Sequence, residues 1–221
     1  RGVQMPRDLY APVQAFLRGE APLRLVERVV QEHGADPNTW SGPLNPVRCA
    51  VENNHTRLLG LLLRLRADPN LHDGRGVCPL HMAVFDGRGP CVATLLDGRA
   101  DVNIRDQHGQ TPLFFAPTKE ICELLISRRA EVDVRNAKSQ CPLHLAAHAG
   151  LDDAVEWLVA VSEKRLLEAK DMKGHTPLYY AAHARLKSTI SILKNLGAEV
   201  QNARPNYKCP GRTSPQAARQ P

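Results

Sequence analysis

A proline recurs along this chain at nearly fixed intervals, each time in a similar setting: Asn45-Pro46-Val47-Arg48, Cys78-Pro79-Leu80-His81, Thr111-Pro112-Leu113-Phe114, Cys141-Pro142-Leu143-His144 and Thr176-Pro177-Leu178-Tyr179. The prolines lie 33, 33, 30 and 35 residues apart. A period near 33 marks one small supersecondary unit copied along the chain, with each copy unable to bury its apolar face without a neighbour. About twenty residues beyond four of the prolines stands a second landmark: Ala67-Asp68-Pro69-Asn70, Ala100-Asp101-Val102-Asn103, Ala130-Glu131-Val132-Asp133 and Ala198-Glu199-Val200-Gln201. Two landmarks held in phase over most of the chain restrict it to a stacked array.

Each unit has a physical reading. Proline suits the first turn of a helix, where its missing N–H is not needed and its fixed φ favours the helical state. Thr111 and Thr176 precede it as helix caps, whereas Cys78 and Cys141 in the same slot cap poorly. A short first helix such as 79–85 should follow. Gly87 or Gly150 then turns the chain into a second helix with apolar spacing, for example Cys91, Val92, Leu95 and Leu96. The unit closes on Ala-Asp/Glu and a finger rich in Asp, Gly and Asn, residues that form turns.

This pattern resembles the ankyrin repeat family, whose unit carries T-P-L-H-x-A and ends in a G-A-D-V-N-like turn. The resemblance implies an all-α solenoid of stacked helix-turn-helix units with short hairpin-like fingers, working as a non-catalytic module that holds another protein. Residues 1–8 form an N-terminal extension and residues 9–203 the repeat domain. Within it, Val13 to Leu17 and Leu23 to Val30 make a degenerate helix pair whose Glu27 and Gln31 interrupt the apolar face, as a terminal cap requires, and five repeats follow. Lys194 makes the outer face of the last helix more polar. Residues 204–221 carry four prolines, four basic residues and no acid, a composition expected to be disordered.

Two units break the period. The third lacks three residues near Ala116 and Pro117, close to one helical turn, so its first helix should be cut short. The fourth gains two where Ser162 to Glu168 replaces the usual turn, which should lengthen the second helix or the loop after it.

Composition narrows the setting. No stretch approaches the ~18 consecutive apolar residues of a membrane span. The opening residues lack the layout of a signal peptide, and the chain starts at Arg1 rather than Met, consistent with a start upstream. The six cysteines read as reduced: Cys91 and Cys122 fall at apolar second-helix positions, Cys49 in a first helix, and Cys78 and Cys141 in the Thr slot. Cytosol or nucleus is the expected compartment, and a monomer the expected state. A net charge of +6 suits an acidic partner without selecting its class.

No metal, cofactor or catalytic site is expected. Cys78-Pro79-Leu80-His81 and Cys141-Pro142-Leu143-His144 together offer four zinc ligands. They stand two units apart, and with stacked helices about 8–10 Å apart the pairs should be separated by ~20 Å. In the family such histidines tie the start of their own helix to neighbouring backbone. No nucleophile elbow, zinc-protease helix or phosphate loop is present.

The informative surface emerges when the fingers are aligned. Just before each finger's Asp or Asn stand His72, Arg105, Arg135 and Lys170; two residues beyond it stand Arg75, His108, Lys138 and Lys173. All eight are basic or histidine, although Lys and Arg number 29 and His 9 among 221 residues. Stacking turns equivalent positions into columns, so the eight should form two ladders along the finger edge, and in ankyrin-like proteins fingertips and first-helix faces are the usual contact surface. The first-helix column adds Glu52, Phe85, His148 and His183. Phe85 there, and Trp40 in the first, irregular finger, are the aromatic anchor candidates, while Trp157 reads as core. The expected partner is a protein with an acidic segment or face. Two alternatives remain. One is a substrate-recognition subunit resembling the ankyrin-plus-SOCS-box ubiquitin-ligase adaptors; no box-like segment follows residue 203, so this needs a longer parent chain. The other is a nucleic-acid binder, which lacks the expected stacking platform and base-reading helix.

Overall fold

Each of the five marker prolines opens its helix at the first position, so the missing N–H interrupts no helical bond. The computed structural model describes residues 9–39 and 45–199. The termini assigned above to an extension and a tail lie outside them. Helices pair as α1 (Tyr10–Leu17) with α2 (Leu23–His33), α3 (Pro46–Glu52) with α4 (Thr56–Arg64), and α5 (Pro79–Phe85) with α6 (Gly89–Asp97). A 3-10 turn (Pro112–Phe115) then pairs with α7 (Lys119–Ser127), α8 (Pro142–Ala149) with α9 (Asp152–Val161), and α10 (Pro177–His183) with α11 (Lys187–Asn195). First helices pack on first helices and second on second, giving two layers around one continuous core. The described residues contain no strand, and the fold is an all-α repeat solenoid.

The core is built from the apolar positions that helical periodicity selects. Leu58, Leu59 and Leu62 of α4, Cys91, Val92 and Leu95 of α6, and Leu143, Ala146 and Ala147 of α8 are all buried. Because each layer leans on its neighbour, no pair is an independent unit, which is why stability in such arrays is shared between adjacent interfaces. Trp157 is half-buried and packs on this core.

The third unit is the one irregular member of the inner layer. Losing about one turn leaves four residues in a 3-10 turn, and Thr118 starts α7 by accepting from the Ile121 N–H at 3.5 Å. Thr111 does not cap as expected. The Phe114 N–H goes to the Thr111 carbonyl at 3.0 Å, and the buried Thr111 hydroxyl finds no partner. In the fourth unit the insertion forms successive turns over residues 162–168 that bury Ser162, Leu166 and Leu167. Glu168 there accepts from the Glu199 N–H at 2.8 Å. Its carboxylate takes the place of Asn38, Asn70 and Asn103, which accept from the Asp68, Asp101 and Glu131 N–H groups of the following units at 2.7–2.9 Å.

Second helices end in a left-handed residue. In the two outer pairs this is glycine, Gly34 and Gly197, but in the interior it is Arg66, Arg99, Arg129 and Lys164, with φ of 66°, 67°, 69° and 65°. A side chain in that region costs roughly 1–2 kcal/mol, and a cation at a helix C-terminus recovers about 0.3–1 kcal/mol. Replacing Arg66, Arg99 and Arg129 singly by Gly is therefore expected to raise stability by about 0.5–1 kcal/mol each. Denaturant midpoints check this, and midpoints that fall would show that the arginines contribute more than the strain costs.

Candidate protein-binding site

Four successive fingers are anchored in the same way. Asp73, Asp106, Asn136 and Asp171 each turn a side-chain oxygen inward to accept the N–H groups two and four residues on, at 2.8–3.0 Å. A short side-chain acceptor at this spacing stabilises a tight turn. Successive fingers are also joined. Carbonyls of Arg75, His108 and Lys138 accept from the N–H groups of Gln107, Ala137 and Met172 in the next finger, at 2.8–3.0 Å. Gly76 permits the approach: its φ is 77°, and an added Cβ would lie 3.0 Å from the Gln107 nitrogen. The fingertips thus form one continuous hydrogen-bonded edge.

That edge carries the expected ladders. His72, Arg75, Arg105, His108, Arg135, Lys138, Lys170 and Lys173 are all exposed. The carboxylates between them are held inward. Burial works to raise the Asp73 carboxyl, but the Val77 and Arg75 amides and the Arg48 guanidinium at 3.2 Å outweigh it, and the group stays below its ordinary range. Arginines of the ladder also support the fold. Arg105 donates to the carbonyls of Gly109 and Arg135 at 3.2 and 2.9 Å, clamping two fingers, and Arg135 donates to Ser139 at 3.2 Å. Sequence alignment alone could not show this, since the bonds run to backbone.

Phe85, at the end of α5, is 68% exposed and meets Phe115 edge-on at 6.4 Å between centroids. The shortened third unit lies beside it. Trp40 lies outside the described residues.

His81 and His144 are the interior counterparts of this surface. The Cys78 N–H donates to His81 Nδ1 at 3.3 Å, so Nε2 carries the proton and donates to the Gln110 carbonyl of the next finger at 3.1 Å. His144 repeats the arrangement with the Cys141 N–H and the His175 carbonyl, at 3.1 Å each. Each imidazole thereby binds the N–H of the residue that precedes its own helix, the N3 half of a capping box. The Cys78 and Cys141 sulfurs sit 3.1 and 3.0 Å from the same nitrogens. Burial pushes the Cys78 and Cys49 thiols up to about 11 and Cys122 to about 12, which removes them from thiolate chemistry near neutrality.

Burial holds both imidazoles below their ordinary 6.5, against the bonds to Gln110 and His175 that favour the charged form. The unfolded chain then binds more protons below 6.5, so the stability that the neutral rings contribute is complete above that value and is lost as pH falls beneath it. Unfolding midpoints are expected to drop between pH 7.5 and 5.5, and to drop less in a His81→Asn/His144→Asn variant. Midpoints rising on acidification would show that these rings are charged in the folded state.

One cluster escaped the sequence reading. Between α8 and α10 a groove of about 740 Å³ is lined by His148, His175, Tyr179, Tyr180 and His183. The His175 ring stacks on Tyr179 at 3.8 Å, with an interplanar angle of 4°. Tyr180 donates to Asp171 at 2.7 Å and accepts from the Gln140 amide at 2.7 Å. Burial, and then the bond to Asp171, push the Tyr180 phenol up, so it remains a donor. The run His175-Thr176-Pro177-Leu178-Tyr179-Tyr180 was the available signal, but it does not show which rings share a face.

Among the described residues no helix is long and apolar enough to cross a membrane. The family model for ankyrin repeats (3 copies) matches residues 47–136 and 117–204. No curated protein matches the chain.

Proposed function

Since this chain belongs to the ankyrin repeat family, whose repeats are protein–protein interaction modules, we propose that it is a non-catalytic adaptor or inhibitor that holds an acidic protein along its finger edge. Phe85, exposed at the C-terminal end of α5, is the apolar anchor. The single observation that carries this reading is the line of eight exposed basic or histidine side chains on fingers bonded to one another, with the intervening Asp oxygens turned inward to backbone amides. Solvation explains polar fingertips but not a single sign.

A pre-joined edge presents its charges with little reorganisation, and steering by such a field raises the association rate of an oppositely charged partner. The Phe85 ring supplies what charge does not, an apolar contact that slows dissociation. The proposal takes the chain as a monomer of the cytoplasm or nucleus. It is tested by affinity capture with the intact chain and with a variant carrying Gln or Ser at Arg75, Arg105, Arg135, Lys138 and Lys173. Proteins retained by the intact chain and lost from the variant should carry acidic segments. Equal capture by both, at low salt, sinks the reading.

A further inference from the structure

We propose that the groove between α8 and α10 is a recognition pocket that takes an aromatic side chain carried on an extended acidic segment of the partner. This rests on the reading that the partner is an acidic protein, and it names the feature of that partner which this end of the array selects.

The pocket is built before any ligand arrives. Tyr180 is fixed from two sides by Asp171 and Gln140, and Asn136 holds Gln140 in turn at 2.9 Å. Tyr179 is fixed by its stack on His175. His148 meets Tyr180 edge-on at 6.0 Å, and His183 faces Tyr179 at 6.1 Å with the planes inclined by 27°. Rings held in this way lose little further freedom on binding, which is the main cost that limits affinity at such sites. His148 and His183 are exposed, and Met172 is 73% exposed at the mouth. The exposed His148 and His183 rings give an inserted aromatic side chain partners of the kind that pair favourably with it.

Charge selects what flanks that ring. Lys138 and Lys173 stand at the groove. Its lining carboxylate, Asp171, is already occupied by the Tyr180 hydroxyl and by the amides of Lys173 and His175. Those bonds hold Asp171 below its ordinary range although burial opposes them. Among the described residues that line the groove, the formal charges are thus two lysines and one carboxylate whose oxygens are already bonded. A basic peptide is repelled, and a carboxylate on either side of the inserted ring is attracted. The pocket also adjoins the last two rungs of the ladder, so one extended segment can occupy both.

The test is selection of a random displayed peptide library on the whole chain, followed by titration of the strongest binders. Enriched peptides are expected to share an aromatic residue flanked by Asp or Glu. Their affinity should fall at least about tenfold in the His148→Ala/His183→Ala variant, and equally when the peptide's aromatic is replaced by Ala. Both histidines are exposed, and an unchanged melting temperature shows that the fold is intact. Acid-rich binders that ignore the groove variant but are lost on neutralising Arg75 and Arg105 would overturn the pocket and leave the finger-edge reading standing. Binders without acids, or no enrichment, would overturn the pocket's acidic ligand. A single-stranded oligothymidine that displaces the peptide would overturn it by showing a nucleic-acid site.

Discussion

Replacing His144 by Ala is expected to lower the unfolding free energy by about 3 kcal/mol, the largest single-site effect outside the apolar core. Three losses combine. The Cys141 N–H, just ahead of α8, loses its acceptor, and the His175 carbonyl loses a donor from the neighbouring unit. Each group left unpaired in a buried place costs on the order of 1–3 kcal/mol. The ring is fully buried, so its removal also opens a cavity. A His144→Phe variant separates the terms, because it fills the volume and restores neither bond. It should still lose about 2 kcal/mol. Chemical denaturation measures both, and a loss below about 1 kcal/mol in the Phe variant would show that packing rather than the two hydrogen bonds is what this position supplies. Phe114 occupies the same slot in the third unit and can make neither side-chain bond.

The second large effect concerns binding. Neutralising Arg75, Arg105, Arg135, Lys138 and Lys173 together is expected to weaken the partner by about ten- to a hundredfold, since exposed pairs contribute ~0.2–1 kcal/mol each. Much of the loss should appear in the association rate, and the wild-type affinity should fall with added salt. Phe85→Ala should act instead on dissociation, with little salt dependence. Arg105 needs separate treatment because its guanidinium joins two fingers. Arg105→Gln should cost stability of about 0.5–1.5 kcal/mol, whereas Arg75, which makes no side-chain bond to a described residue, should cost almost none. Surface plasmon resonance across a salt series is the measurement. Retained affinity in the five-site variant would place the contact surface elsewhere.

The contrast between Arg75 and Arg105 shows what is legible in a repeat sequence. Both were readable as exposed fingertip cations, because alignment fixes the position of a residue within its unit. Only one is a clamp, and that depends on whether the guanidinium reaches carbonyls of its own and the next finger. The groove follows the same logic. His148 and His183 were placed in the exposed first-helix column, but Tyr180 turns under them to Asp171 and Gln140, and nothing in the local pattern specifies that turn.

Period and polarity alone determined the array: the prolines that open its helices, the apolar face each helix buries, the truncated third unit and the basic fingertip columns. These features are local, repeated and imposed by helical geometry and the need to bury apolar surface, so each copy reinforces the reading of the others. The tertiary structure decided the rest: the unpartnered Thr111 hydroxyl, the arginines held in left-handed conformation, the histidine bonds between units and the aromatic groove. Those depend on the distance and direction between side chains and backbone in adjacent units, which stacking sets and composition does not record.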